Sequence, residues 1–221
     1  MNQLNTMSGT GFDPASAQQM MFMPPSHVDE MEGNPYWDEH WGTSSVMLLD
    51  NPKLHEGYLT RYDIRRDEFE FNLNGQIKVA QGKVIKNVVW IDSVSQKPRF
   101  MVSARGYKLE GVPLLGFLEV LVEGEQQLIK RVELQVLKPN YNVALSTGSQ
   151  NSRIVKKTVF YYSSNGELIA ITSRKSLAPL FGEESDQMNA FIKKGKLRTN
   201  NEDDLRQIFT QLATLRPTGA R

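Results

Sequence analysis

The sequence predicts a mainly β protein with C-terminal helices, of the α+β class: an antiparallel β-meander forming an open barrel or sandwich, capped by two or three short helices. Three observations lead there. Between residues 44 and 172, ten short runs alternate apolar with polar residues or are wholly apolar, and turn residues separate them. Asn74-Gly75 stands between two alternating runs, the strongest short-range hairpin signal. After Thr172 the apolar period lengthens to that of a helix. With 221 residues, 39% hydrophobic, the chain can build a core unaided; with no cysteine, a disulfide scaffold, a thiol enzyme and cysteine-based metal sites are excluded.

Residues 1–43 read as an acidic, largely disordered arm, because their composition cannot bury enough apolar surface to offset the entropy of ordering them. The net charge of +1 hides this arm: residues 1–52 hold seven acids and no Lys or Arg, so all 26 basic residues face the remaining 18 acids in 53–221. Two patches break its polarity, Met20-Met21-Phe22-Met23-Pro24-Pro25 and Tyr36-Trp37-Asp38-Glu39-His40-Trp41. Each is expected to dock on the domain or on a partner. Ala15-Ser16-Ala17 has the form of a signal-peptidase site, but residues 1–14 show neither a positive n-region nor an apolar h-region. The sequence as given carries no export signal.

The β domain, 44–172, contains the predicted strands Ser45–Leu49, Tyr58–Ile64, Glu68–Leu73, Gln76–Ala80, Val84–Ile91, Arg99–Ser103, Leu115–Val122, Gln127–Leu137, Arg153–Tyr162 and Glu167–Thr172. Phe69, Phe71, Leu73, Ile77 and Val79 are expected on one buried face. Arg61, Asp63, Arg65, Glu68, Glu70, Lys78, Lys83, Lys86, Lys130, Glu133 and Gln135 are expected outside. Val112-Pro113-Leu114-Leu115-Gly116-Phe117 is apolar before its strand begins, and reads as core or as an apolar mouth. Residues 140–152, rich in Ser, Asn and Gly, read as a mobile contact loop or lid.

The helical cap, 173–215, is expected to pack on the β domain, with 216–221 a disordered tail. Ser173 or Ser176 caps a helix to Phe181; Ser185 caps a second that Gly195 stops; Asn200 or Asn201 begins a third, whose acidic first turn suits the macrodipole. Leu205, Ile208, Phe209, Leu212 and Leu215 form its apolar stripe. The basic stretch Lys193-Lys194-Gly195-Lys196-Leu197-Arg198 lacks the glycine and hydroxyl of a phosphate loop and any neighbouring aromatic platform, so nucleic acid is not an expected partner.

No catalytic, cofactor or metal residues can be nominated. His27, His40 and His55 have no ligand spacing around them, and neither Gly-x-Ser-x-Gly nor Gly-x-Gly-x-x-Gly occurs. The absence of any run of about 18 apolar residues argues against a transmembrane segment. The succession Glu32–Trp41, Glu56–Ile64 with Asp67–Phe71, Gly116–Gly124, Arg174–Leu177, Ala190–Leu197 and Glu202–Leu205 resembles a family of exported, β-rich proteins of Bacteroidetes-type bacteria that has no assigned activity. The resemblance covers residues 32–215 and implies an envelope or periplasmic location after loss of a leader; without it the chain is expected in the cytoplasm.

These readings lead to an expected non-enzymatic envelope protein that binds another macromolecule, either a second envelope protein or a second copy of itself. Contact residues are expected among Phe22, Tyr36, Trp37, Trp41, Val112, Leu114, Leu115 and Phe117. A carrier or sensor of an apolar ligand held in the curved sheet is the alternative, and a hydrolase without a recognisable motif the third.

Overall fold

The computed structural model describes residues 32–51, 53–141, 145–148 and 151–216. The Met20–Pro25 patch with Phe22, the His27 cluster, the tail from 217 and parts of the 140–152 loop lie outside the described residues. Twelve strands form one sheet: β1 (Gly42–Leu48), β2 (Leu54–Asp63), β3 (Glu68–Leu73), β4 (Gln76–Gln81), β5 (Ile85–Ile91), β6 (Pro98–Ser103), β7 (Lys108–Leu109), β8 (Val112–Pro113), β9 (Phe117–Val122), β10 (Gln127–Leu137), β11 (Arg153–Ser164) and β12 (Glu167–Ala170). Helices α1 (Ala178–Phe181), α2 (Ser185–Gly195) and α3 (Glu202–Leu215) follow.

The strands lie in the order β4-β3-β2-β1-β5-β6-β9-β10-β11-β12-β7-β8. Neighbours are antiparallel except β12 and β7, which run parallel. The sheet is therefore mixed and not closed, and the expected meander is interrupted once. The β7–β8 hairpin leaves the sequential order and crosses to the far edge, so β6 pairs directly with β9. Two-residue strands offer no periodicity to read, which is why this hairpin is invisible in sequence.

The Asn74-Gly75 hairpin forms as expected, but its faces differ from the prediction. Leu73 pairs with Gln76 and Phe69 with Ala80, so Phe69, Phe71 and Leu73 share their face with Gln76, Lys78 and Ala80. Ile77 and Val79 therefore lie on the opposite face. The reason is geometric: across a two-residue turn, odd positions of one strand oppose even positions of the other.

The first half of the sheet curls until β2 and β3 pack on β9. Phe117 meets Tyr62 edge-on at 5.3 Å and Phe69 at 4.8 Å between ring centroids, and Tyr62 stacks on Phe69 at 4.5 Å. Phe71, Val46, Val88, Trp90 and Met101 complete this core, so the inside of the curl is filled by side chains. Gly42 is required there, because a Cβ would stand 1.6 Å from the Trp90 indole nitrogen.

On the same face further along, α1–α3 cover β9–β12 through a second core of Leu128, Phe160, Phe181, Ile192, Ile208 and Phe209. The expected stripe of α3 is buried from Leu205 to Leu212, and Asn201 caps the helix by accepting from the Asp204 amide at 3.0 Å. The stop of α2 is Lys196, in the left-handed region at φ 52°, one residue beyond the predicted Gly195. The opposite face of β9–β12 carries a third core, where Leu114, Leu118, Ile129 and Leu168 meet.

The predicted arm gives way to the fold well before residue 43. Residues 32–41 form a strap that extends β1 backwards. Trp37 donates its amide to the Tyr62 carbonyl at 2.9 Å and Ile64 donates to Pro35 at 3.0 Å; at the other end Ile154 donates to Glu32 at 2.8 Å. The strap thus joins the end of β2 to the start of β11 across the unclosed side of the curl. Gly33 makes this approach possible: its φ is +112°, and a Cβ would sit 2.6 Å from the Ile154 carbonyl oxygen.

Candidate functional site

What remains open is one end of the curl. There the β2–β3 turn, the start of β9 and the outer part of β10 enclose a cleft of about 630 Å3, with Ile64, Leu115, Phe117, Arg131, Val136 and Ile154 among its walls. Its apolar rim is uncovered, Leu115 being 74% exposed and Val136 53%. Two wall residues, Ile64 and Ile154, are the same two whose amides the strap holds, so the strap fixes the width of the mouth.

The local chain explains the shape. β10 and β11 pair over eleven residues, from Gln127↔Ser163 to Leu137↔Arg153, and so outrun the core beneath them. Val132 is buried in the first core, while Leu134 and Val136 on the same face project past it into the cleft. Gly116, at φ +85°, turns the chain into β9, where a Cβ would lie 3.2 Å from the Tyr62 hydroxyl.

At the base of the cleft the Tyr62 hydroxyl donates to Asp67 Oδ1 at 2.8 Å. Burial raises both groups, and the Asp67 charge raises Tyr62 further. The phenol is 1% exposed. Asp67 itself sits at φ 53° in the β2–β3 turn and packs on Gly82, whose amide donates to its carbonyl at 2.7 Å. These groups lock the turn against β4. Among the described residues, no three His, Asp or Glu are grouped to hold a metal ion.

The residues expected to make contacts do not form one surface. Trp37 is buried in the first core. Tyr36 lies on the outer face, donating to Glu70 Oε1 at 2.8 Å, and burial with that hydrogen bond pushes its hydroxyl up to about 12. Arg61 lies over the rings of both Tyr36 and Trp41, at 3.9 and 4.5 Å, and donates to Glu70 Oε2 at 2.8 Å. This cluster explains why Glu70 and Asp63, expected in solvent, are buried: the strap covers them. Leu114 is buried in the third core, and Val112 is exposed on the edge strand β8. Leu115 and Phe117 alone line the cleft. Arg131 and Val136 were not nominated from sequence; the available signal was an alternation in β10 continuing beyond the length of β9.

Lys130, also expected outside, lies between the first two cores. Its ammonium stands 3.1 Å from Glu119 and 2.8 Å from Glu202 of α3. Arg206 bonds Glu202 at 2.8 Å, and Arg99 approaches Glu119 at 3.7 Å while bonding Asp92. Burial pushes Glu202 up, but Lys130 and Arg206 outweigh it and hold the carboxyl below its ordinary value. The ionic chain stitches the helical cap to the sheet.

Comparison with protein-family models, curated proteins and solved structures finds no match for this chain.

Proposed function

We propose that this is a non-enzymatic binding protein that takes an extended, apolar and acidic segment of another macromolecule into the cleft between β2, β9 and β10. The exposed apolar rim carries the reading: Leu115 and Val136 border an open cleft instead of lying singly on a convex surface. The charge preference follows from the two arginines on the cleft walls, Arg65 and Arg131. They stand against Asp67, which the Tyr62 hydroxyl engages, and Glu133. The two carboxylates on these walls are already engaged, Asp67 by the Tyr62 hydroxyl and Glu133 by Arg131 at 3.7 Å, which supports binding over turnover. The family resemblance adds an envelope location, which fractionation of the producing cells tests: recovery in the cytosol alone would remove that part.

The function test is fluorescence anisotropy with labelled ten-residue peptides of three kinds: apolar with acids, apolar with bases, and polar without charge. The first should bind most tightly and lose at least tenfold on Leu115→Asp, and equal binding of all three would reject the proposal. A cleft of this volume also lies in the range that holds small apolar ligands, so a fatty-acid probe forms a fourth arm. Binding of that probe alone would favour the carrier reading, with the ligand at the mouth because the inside of the curl is full.

A further inference from the structure

We infer that the cleft has a resident occupant in the same molecule, the apolar segment Met20–Met23 of the chain's own N-terminal arm. This rests on the binding reading above and names what holds the cleft when no partner is present. Three observations converge on it. The chain reaches the fold at the cleft's edge: Glu32 pairs with Arg153 and takes the amide of Ile154, a wall residue. The strap there runs parallel to β11, and the Glu32 amide donates to Ser152 at 3.3 Å. Glu32 therefore stands level with the Leu137–Arg153 pair at the outer end of the β10–β11 hairpin.

The arm also matches the cleft in chemistry. Met20-Met21-Phe22-Met23 supplies unbranched and aromatic side chains that adapt to an irregular apolar rim. Asp29, Glu30 and Glu32 follow it with no Lys or Arg anywhere before residue 53, a charge complementary to Arg65 and Arg131 on the cleft walls. Lys156 already holds the strap by donating to the Tyr36 carbonyl at 2.9 Å, and Asn151 donates to Glu32 at 2.7 Å. About nine residues separate Met23 from the anchored Glu32, a tether of roughly 17 Å root-mean-square length. A tether of that length gives an effective concentration in the millimolar range. That favours the molecule's own arm over the arm of a second copy, and a partner must displace it.

The absence of cysteine permits a clean test. A nitroxide is attached to Ser26→Cys in the full chain, and methyl resonances are followed at low protein concentration. Leu115 and Val136 should broaden, those of Ile208 under the helical cap should not, and the effect should persist on dilution. Replacing Met20, Met21, Phe22 and Met23 by Ser should abolish the broadening and tighten the acidic apolar peptide several-fold. Broadening only when spin-labelled and isotope-labelled chains are mixed would overturn the inference in favour of a second copy. No broadening in any sample would overturn it outright; peptide binding would then show whether the cleft reading survives without it.

Discussion

Trp37→Ala isolates the strap. Trp37 is the strap's apolar anchor, 7% exposed within the first core. About 200 Å2 of buried aromatic surface at ~25 cal/mol per Å2 corresponds to ~5 kcal/mol as an upper figure. The backbone hydrogen bonds linking the strap to β2 and β11 add roughly 1 kcal/mol net each. Against these stands the ordering of the strap, at about 1 kcal/mol for each residue fixed. The stacking of Tyr36 and Trp41 on Arg61 and the side-chain hydrogen bonds from Lys156 and Asn151 tip the sum toward docking by about 3 kcal/mol. Losing the indole reverses that sign, and the strap detaches. Urea unfolding followed by far-UV circular dichroism should show a loss of about 3 kcal/mol. Hydrogen exchange at the Ile64 and Ile154 amides, which the strap protects, should accelerate. Trp41→Ala, which removes one ring from a partly exposed stack on Arg61, should cost less than about 1 kcal/mol. If Trp37→Ala costs no more than Trp41→Ala and both amides stay protected, the strap does not hold the mouth as described.

Other perturbations test separate parts. Gly33→Ala forces a left-handed φ on alanine and a Cβ into the Ile154 carbonyl; it should cost more than about 1 kcal/mol, chiefly as faster exchange at Ile154. Lys130→Met strands the buried Glu119 carboxylate and should destabilise by about 3 kcal/mol, whereas Glu119→Leu with Lys130→Met should recover much of that in the same unfolding assay. Asp92 is held at about 2 from an ordinary 3.8, first by the Ser95 amide and then, against desolvation, by Arg99 and Val94. Its folded value is depressed, so its contribution, roughly 2 kcal/mol, is present above pH 4 and lost as pH falls toward 2. Wild-type and Asp92→Asn stabilities should differ at pH 7 and converge near pH 2; a constant gap would contradict this. Arg131→Glu, which reverses a charge on the cleft wall, should weaken acidic apolar peptides several-fold and leave basic ones no weaker.

Alternation and turn residues were enough to read the β domain, its hairpins and the helical cap, because each is a local pattern long enough to repeat. The Asn74-Gly75 turn and the Asn201 cap are examples. Features made by contact across the chain were not legible. Whether Arg61 and Glu70 face water depends on Tyr36 lying over them, and nothing in β2 or β3 announces the strap. The place of the β7–β8 hairpin depends on the parallel pairing of two residues with β12. The cleft was half visible: the apolar run before β9 drew attention to Leu115 and Phe117. Their opposite wall came from the length of β10 relative to a core that only the folded sheet defines.

The most direct measurement is a methyl nuclear magnetic resonance titration of the full chain with an acidic apolar peptide. A binding cleft at this mouth requires saturable shifts at Leu115, Val132 and Val136, with Leu128 and Ile208 in the second core unmoved. No shifts at any peptide concentration, or shifts centred on the helical cap with the mouth silent, would contradict it.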